Sequence, residues 1–170
     1  EAICKFKKAG VKTVMITGDY AKTAFSIGKD LGIANSENEC ISGDELDKLS
    51  DKELIDIVDK KTIYARVTPL HKARIVTAYK KSGKVVAMTG DGVNDAPSLK
   101  KADIGIAMGI TGNDVAKEAG DMILADDNFS TIEIAIEEGR TIYNNIKKSV
   151  LFLLSSNFAE IIIMIVGILI

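Results

Sequence analysis

Two aspartates, Asp91 and Asp95, stand four residues apart in the run Met88-Thr89-Gly90-Asp91-Gly92-Val93-Asn94-Asp95-Ala96-Pro97. Glycines and an amide separate them with little hydrocarbon bulk, a donor set suited to a hard divalent cation such as Mg²⁺ held beside a phosphate. The run follows the apolar stretch Val85 to Met88 and precedes a helical pattern, so its polar groups fall where a buried strand ends, the edge at which α/β proteins keep their chemistry. Thr17 ends a second apolar stretch in Thr17-Gly18-Asp19, and Arg66 ends a third, a few residues before Lys72. Strand ends converge on one edge of such a sheet, so Thr17, Arg66, Asp91 and Asp95 are expected to share a crevice, with Lys72 reaching in from the first turn of its helix. A hydroxyl, a lysine, a guanidinium and two carboxylates are what phosphoryl transfer with Mg²⁺ requires. The hydroxyl and an amide would bind equatorial oxygens, Lys72 would offset negative charge, and the carboxylates would hold the metal.

Each group also has a plainer use. T-G-D is a common turn with a satisfied aspartate, and Lys72 and Arg66 taken singly are more often solvated surface charges. His71, the only histidine, has no acidic partner nearby in sequence and reads as structural or exposed. The stretch 88–97 differs from these, because its length and its strand-turn-helix context leave little room for coincidence.

A second constellation lies near the other end. Asn157 and Glu160 are three apart and Ser156 lies four before Glu160, so on a helix the three share a face. They fall within VLFLLSSNFAEIIIMIVGILI, residues 150–170, whose one charge is Glu160. At about 1.5 Å per residue this run spans a hydrocarbon layer of roughly 30 Å. A carboxylate at that depth costs about 2.5 kcal/mol or more and marks a functional site by default, the plain alternative being a protonated Glu160 bonded to a neighbouring helix. Upstream, Ile132, Ala135, Ile136, Gly139, Ile142, Tyr143, Ile146 and Val150 form a helical stripe. One long helix is therefore expected from about Ser130 into a lipid bilayer. Arg140, Lys147 and Lys148 at its entry, with Tyr143 as an interfacial ring, put residues 1–149 on the cytoplasmic side.

The elements that must position these groups follow from periodicity. The pattern predicts a helix over 2–9, a strand over 11–16 and a helix over 21–31 closed by Gly32. Acidic residues 35–59, with apolar points at Leu46, Leu49, Leu54, Ile55 and Val58, read as short surface helices without chemistry. Strands are expected at 62–66, 85–88, 104–108 and 122–125, and helices from Thr68-Pro69 onward, over 96–102 and over 114–119. Short buried strands alternating with helices imply a mainly parallel sheet covered on both faces, an α/β Rossmann-like architecture. The 170 residues carry 46% hydrophobic and 27% charged residues and a net charge of −2, which gives no basic field for nucleic acid. Cys4 and Cys40 form no C-x-x-C pair and read as reduced structural thiols. Residues 1–10 carry no signal-peptide pattern, and the chain reads as a segment of something larger.

Thr89 to Pro97 resembles the hinge motif of P-type cation-transporting ATPases, of the haloacid dehalogenase superfamily. The resemblance continues through Lys100 to Gly109 (KKADIGIAMG) and Asp126 to Ile132 (DDNFSTI), and takes in Thr17-Gly18-Asp19, Tyr64 to Lys72 (YARVTPLHK) and Glu138 to Asn145 (EGRTIYNN). It spans nearly the whole chain in the family's order and is closest to the Ca²⁺-pump branch of endoplasmic-reticulum and bacterial type. The resemblance implies a haloacid dehalogenase-like sheet continued by a long stalk and transmembrane helix. It makes Asp91 a Mg²⁺ ligand, Asp95 a support of that site, Asn94 and Thr17 contacts of the phosphoryl group, Lys72 a neutraliser of phosphate charge and Arg66 a neighbour of bound ATP. Asn157 and Glu160 match an N-x-x-E pair on the fifth transmembrane helix that supplies cation ligands. Such oxygen donors suit Ca²⁺ and argue against copper or zinc, while Na⁺/K⁺ pumps carry a similar pair.

The family's phosphorylated aspartate lies in a D-K-T-G-T motif that these residues do not contain. The nucleotide-binding and actuator domains are likewise expected elsewhere in the same polypeptide. The implied organisation is 1–129, the C-terminal part of a cytoplasmic phosphorylation domain; 130–149, a stalk; and 150–170, a membrane helix. The segment alone is expected not to hydrolyse ATP. Two other readings stay open on the sequence, a soluble phosphatase of the same superfamily and a non-catalytic remnant whose loop merely binds Mg²⁺ and phosphate.

Overall fold

The computed structural model describes residues 2–169. Glu1, and Ile170 at the end of the expected membrane run, lie outside the described residues. The chain divides after Phe129 into two compact units.

The first unit opens with α1 (Ala2–Lys8), β1 (Met15–Ile16) and α2 (Ala21–Asp30), then β2 (Cys40–Ser42), α3 (Gly43–Leu46), α4 (Asp51–Ile57) and β3 (Ile63–Ala65). It continues with α5 (Pro69–Lys81), β4 (Ala87–Gly90), α6 (Ala96–Lys101), β5 (Ile104–Met108), α7 (Asp114–Ala119) and β6 (Met122–Leu124). All strand pairs are parallel, in the orders β1-β3-β2 and β4-β5-β6. This is the expected α/β, Rossmann-like architecture, with one difference: the ladder is broken into two three-stranded sheets. β1, two residues long, pairs with β3 and with no other strand among the described residues. Ile16 and Val86 each pack against the same two hydrophobic clusters at the seam.

β3 shows why the sheet is covered on both sides. All three of its residues are buried, and alternate side chains point to opposite faces. Ile63 and Ala65 join Ala24 of α2 and Ile33 in one cluster, while Tyr64 joins Ile75 and Tyr79 of α5 in another. A strand buried on both faces needs this continuous apolar run, which is why 62–66 was readable.

Three expectations need correction. The first strand is two residues long instead of six. The strand expected at 85–88 runs from Ala87 to Gly90, because Thr89 and Gly90 pair with Ile106 and Ala107 while Val85 is 83% exposed. The 35–59 segment holds the expected short helices, α3 and α4, but it also contributes β2, paired with β3, and it buries Leu46, Leu54 and Val58 in the core instead of lying on the surface.

The second unit is carried by α8 (Phe129–Leu169), 41 residues without a break. At 1.5 Å per residue it is about 60 Å long. The proline-free sequence after Pro97 leaves no interruption of its hydrogen-bond ladder. It is long and apolar enough to cross a membrane, and its most apolar window is not buried within the protein. Thr141, Ser149 and Ser155 turn their hydroxyls back onto the carbonyls of Glu137, Asn145 and Leu151, so these polar side chains are satisfied within the helix itself.

Candidate active site

The site is built on the ends of β1, β3 and β4. β3 ends at Ala65, and Arg66 then takes a left-handed conformation, φ 51°, which turns the chain sharply toward α5. Thr68 caps that helix: its hydroxyl accepts the His71 N–H at 3.3 Å, and His71 Nδ1 accepts the Thr68 N–H at 3.2 Å. Pro69 fills the first helical turn, where its missing N–H costs nothing. Because Nδ1 is an acceptor, Nε2 carries the proton and donates to Asp47 Oδ1 at 2.8 Å. His71 is therefore structural and buried, with an acidic partner 24 residues upstream that spacing does not reveal. Gly43 lies beneath this junction, where a Cβ would overlap the Arg66 carbonyl.

With α5 set in this way, Lys72 in its first turn reaches Asp95, Nζ to Oδ1 2.6 Å. Side-chain exposures of 20% and 8% make this a largely desolvated pair, so removing one partner would strand a buried charge. The other carboxylate oxygen of Asp95 faces the amides of Asp91 and Gly92 at 3.4 and 3.3 Å. Asp95 thus brackets the turn after β4 from below. Gly90 is required there, since a Cβ would run into Asp95 Cβ. The far side of the turn is held by Asn113, whose N–H donates to the Asp91 carbonyl at 2.9 Å, while its side chain caps α7.

The result is an asymmetric pair of carboxylates. Asp95 is buried and committed; Asp91 is exposed, its backbone fixed at both ends and its carboxylate without a protein partner among the described residues. Asn94, one residue before Asp95, is exposed as well. Lys72 uses one of its three donors on Asp95 and keeps two.

The turn after β1 is organised differently. Thr17 Oγ1 donates to Asp19 Oδ2 at 2.8 Å and accepts the Asp19 N–H at 3.2 Å, so this turn is closed on itself. It is joined to the Arg66 corner by two backbone bonds, Arg66 N–H to the Asp19 carbonyl and Val67 N–H to the Thr17 carbonyl, at 3.0 and 3.2 Å. The Arg66 guanidinium stacks over the Tyr20 ring, Cζ 4.8 Å from its centroid, a cation–π contact that sequence reasoning missed. The structure therefore groups Thr17, Gly18, Asp19 and Arg66 in one patch, and Lys72, Asp91, Asn94 and Asp95 in another. The segment from Arg66 to Thr68 joins the two.

Asn157 and Glu160 belong to α8 of the second unit, both exposed and three residues apart on a continuous helix, as the spacing required. No group of three or more His, Cys, Asp or Glu side chains that could hold a metal occurs among the described residues.

Asp127 is a further residue whose role spacing does not disclose. Its carboxylate accepts four hydrogen bonds, from the Gly109, Ile110 and Thr111 amides and the Thr111 hydroxyl. Loss of solvation pushes its pKa up, but the bonds from Ile110, Thr111 and Gly109 outweigh this and hold it at about 2.

Residues 1–103 match the family described as haloacid dehalogenase-like hydrolase. The chain is 60% identical over 169 residues to calcium-transporting ATPase 1 of Bacillus cereus, covering 99% of this chain and 19% of that protein. It is 51% identical over 161 residues to human calcium-transporting ATPase type 2C member 1, covering 95% of this chain and 18% of that one. It thus spans about a fifth of the length of these curated relatives. Among solved structures it resembles a zinc-transporting PIB-type ATPase in an E2.Pi state, TM-score 0.66 and 32% identity over 86% of this chain and 19% of that one. The catalytic domain of the CPx-ATPase CopB-B gives TM-score 0.58 and 30% identity over 78% of this chain and 41% of that one.

Proposed function

The chain belongs to the haloacid dehalogenase-like hydrolases, and from that premise we propose that it is the phosphate-handling and membrane-coupling segment of a P-type ATPase that transports Ca²⁺. In this reading residues 1–129 are the C-terminal part of a cytoplasmic phosphorylation domain, 130–149 a stalk and 150–170 a transmembrane helix. The observation that carries it is the unbroken α8, 41 residues long, following directly on a sheet of the phosphoryl-transfer family. A soluble phosphatase has no use for such an exposed apolar rod.

The donor set fits Mg²⁺, which takes one or two carboxylates and completes its shell with water and phosphate oxygens. Asp91, fixed in backbone and free in carboxylate, would hold it, with Asp95 supporting. Bound there, Mg²⁺ supplies positive charge beside the transferring phosphoryl group. The protein's own groups do the rest. Asn94 and the Thr17 hydroxyl bind phosphoryl oxygens, the latter by turning its O–H away from Asp19. Lys72 directs its two remaining donors at the same charge, and Arg66, steadied by Tyr20, meets ATP. The aspartate that receives the phosphoryl group, and the domain that binds nucleotide, belong to other parts of the same polypeptide.

On α8, Asn157 and Glu160 supply oxygen donors to the transported cation, and oxygen donors select hard ions. The comparison with calcium-transporting relatives at 51–60% identity supports Ca²⁺ as that ion. Uptake of ⁴⁵Ca²⁺ by vesicles carrying the full-length protein tests the reading. ATP-dependent uptake that is abolished by Glu160→Gln is expected, and uptake indifferent to that substitution would sink the assignment of the cation ligands.

A further inference from the structure

Asp127 is held in a left-handed conformation, φ 50°, three residues after β6 ends and two before α8 begins. Its N–H donates to the Leu124 carbonyl at 3.2 Å, which closes the turn. One carboxylate oxygen receives Gly109 N–H at 2.7 Å and Ile110 N–H at 3.1 Å. The other receives the Thr111 N–H and hydroxyl, both at 2.7 Å. Gly109 N–H also donates to the Leu124 carbonyl at 2.9 Å, so the ends of β5 and β6 are pinned side by side. Two residues beyond Thr111, Asn113 donates its N–H to the carbonyl of Asp91.

A short chain of hydrogen bonds therefore runs from the Asp91 backbone, through the loop 109–113, to the residue that introduces α8. Each link is a direct hydrogen bond, and the loop it passes through is confined: a Cβ on Gly112 would overlap the Met108 carbonyl, and one on Gly109 would sit 2.7 Å from the Leu124 carbonyl. Such a loop transmits displacement instead of absorbing it, because packed segments shift between discrete arrangements and do not deform continuously. A left-handed non-glycine residue that anchors four donors is also a conformation retained only where its surroundings over-determine it.

We propose that Asp127 is a positioning residue for energy coupling: its carboxylate latches the 109–111 loop, so that a movement of the Asp91 turn is delivered to the head of α8. This rests on the pump reading above. The latch takes no part in the chemistry at Asp91 and touches neither phosphate nor metal.

The test uses the full-length protein in sealed vesicles, measuring acid-stable phosphoenzyme formed from ATP, ATP hydrolysis and ⁴⁵Ca²⁺ uptake. Asp127→Asn keeps the shape and the tolerance for a left-handed backbone but presents an amide where two of the donors converge. Phosphoenzyme is expected to form as in the parent, while Ca²⁺ carried per ATP falls about fivefold or more, the scale of an ordinary coupling energy. Thr111→Val, which removes one of the four bonds, is expected to lower the same ratio by less, and Thr111→Ser to restore it; this pair decides the matter if Asp127→Asn does not fold. A ratio unchanged in the folded variants overturns the inference, as does a loss of phosphoenzyme in proportion to transport, which would make Asp127 merely structural. A parent protein that forms no phosphoenzyme at all would instead defeat the pump reading itself.

Discussion

The turns after β1 and β4 begin alike, each a short strand leading into a Thr-Gly-Asp, and they are built in opposite ways. After β1, Thr17 and Asp19 satisfy one another and the turn faces solvent. After β4, the turn is gripped from outside itself: Asp95 from below, Lys72 behind Asp95, Asn113 on the far side. The consequence is that the second turn holds its exposed carboxylate, Asp91, in place without spending it. A fixed backbone with free oxygens is what the proposed metal ligand needs, and here it accompanies a buried ion pair elsewhere.

The contrast can be broken most sharply at Lys72. Lys72→Met should lower stability by about 3 kcal/mol, because it leaves Asp95 buried and unpaired; urea unfolding of the detergent-solubilised chain reads this directly. Restoring most of that loss with Lys72→Met/Asp95→Asn would establish that the stranded charge was the cause. Next in size, Gly90→Ala forces a methyl against Asp95 and should cost about 2 kcal/mol, whereas Gly18→Ala, with open space around its Cβ position, should cost far less in the same assay. Removing the Thr68 hydroxyl with Thr68→Ala takes away the cap that seats α5 and should cost about 1 kcal/mol. At the other turn, Thr17→Val loses only two exposed local bonds and should stay within about 0.5 kcal/mol. A Thr17 variant as damaging as the Lys72 one would show that the Thr17 and Asp19 side chains hold more than their own turn.

Much of this is legible in the amino-acid sequence. The 88–97 run announced a strand-turn-helix, since its polar residues are unusual for that place, and α8 announced itself by a stripe that never meets a proline. The failures share a cause. β2 is three residues long and its register depends on β3, so no periodicity of its own could reveal it. The partnership of Asp47 with His71 joins residues far apart in sequence, and the stacking of Arg66 on Tyr20 depends on a left-handed backbone at Arg66. The four donors that meet Asp127 come from a loop sixteen to eighteen residues away. Burial of Leu46, Leu54 and Val58 was hidden by the acidic residues around them, whose charges lie on the outer side of α3 and α4.

The seam between the two sheets carries a mechanical meaning. Within each sheet, neighbouring strands are locked at about 4.8 Å by backbone hydrogen bonds. No ladder pairs β1 with β4 among the described residues; Ile16 of β1 and Val86, just before β4, pack against the same two hydrophobic clusters, and hydrocarbon has no preferred direction. The β1 turn hangs from one sheet and the β4 turn from the other. No strand ladder ties one turn to the other, and two polar ties that do cross leave from a single helix: Lys72 of α5 reaches Asp95 behind β4, and Lys80 of α5 reaches Asp103 at the head of β5.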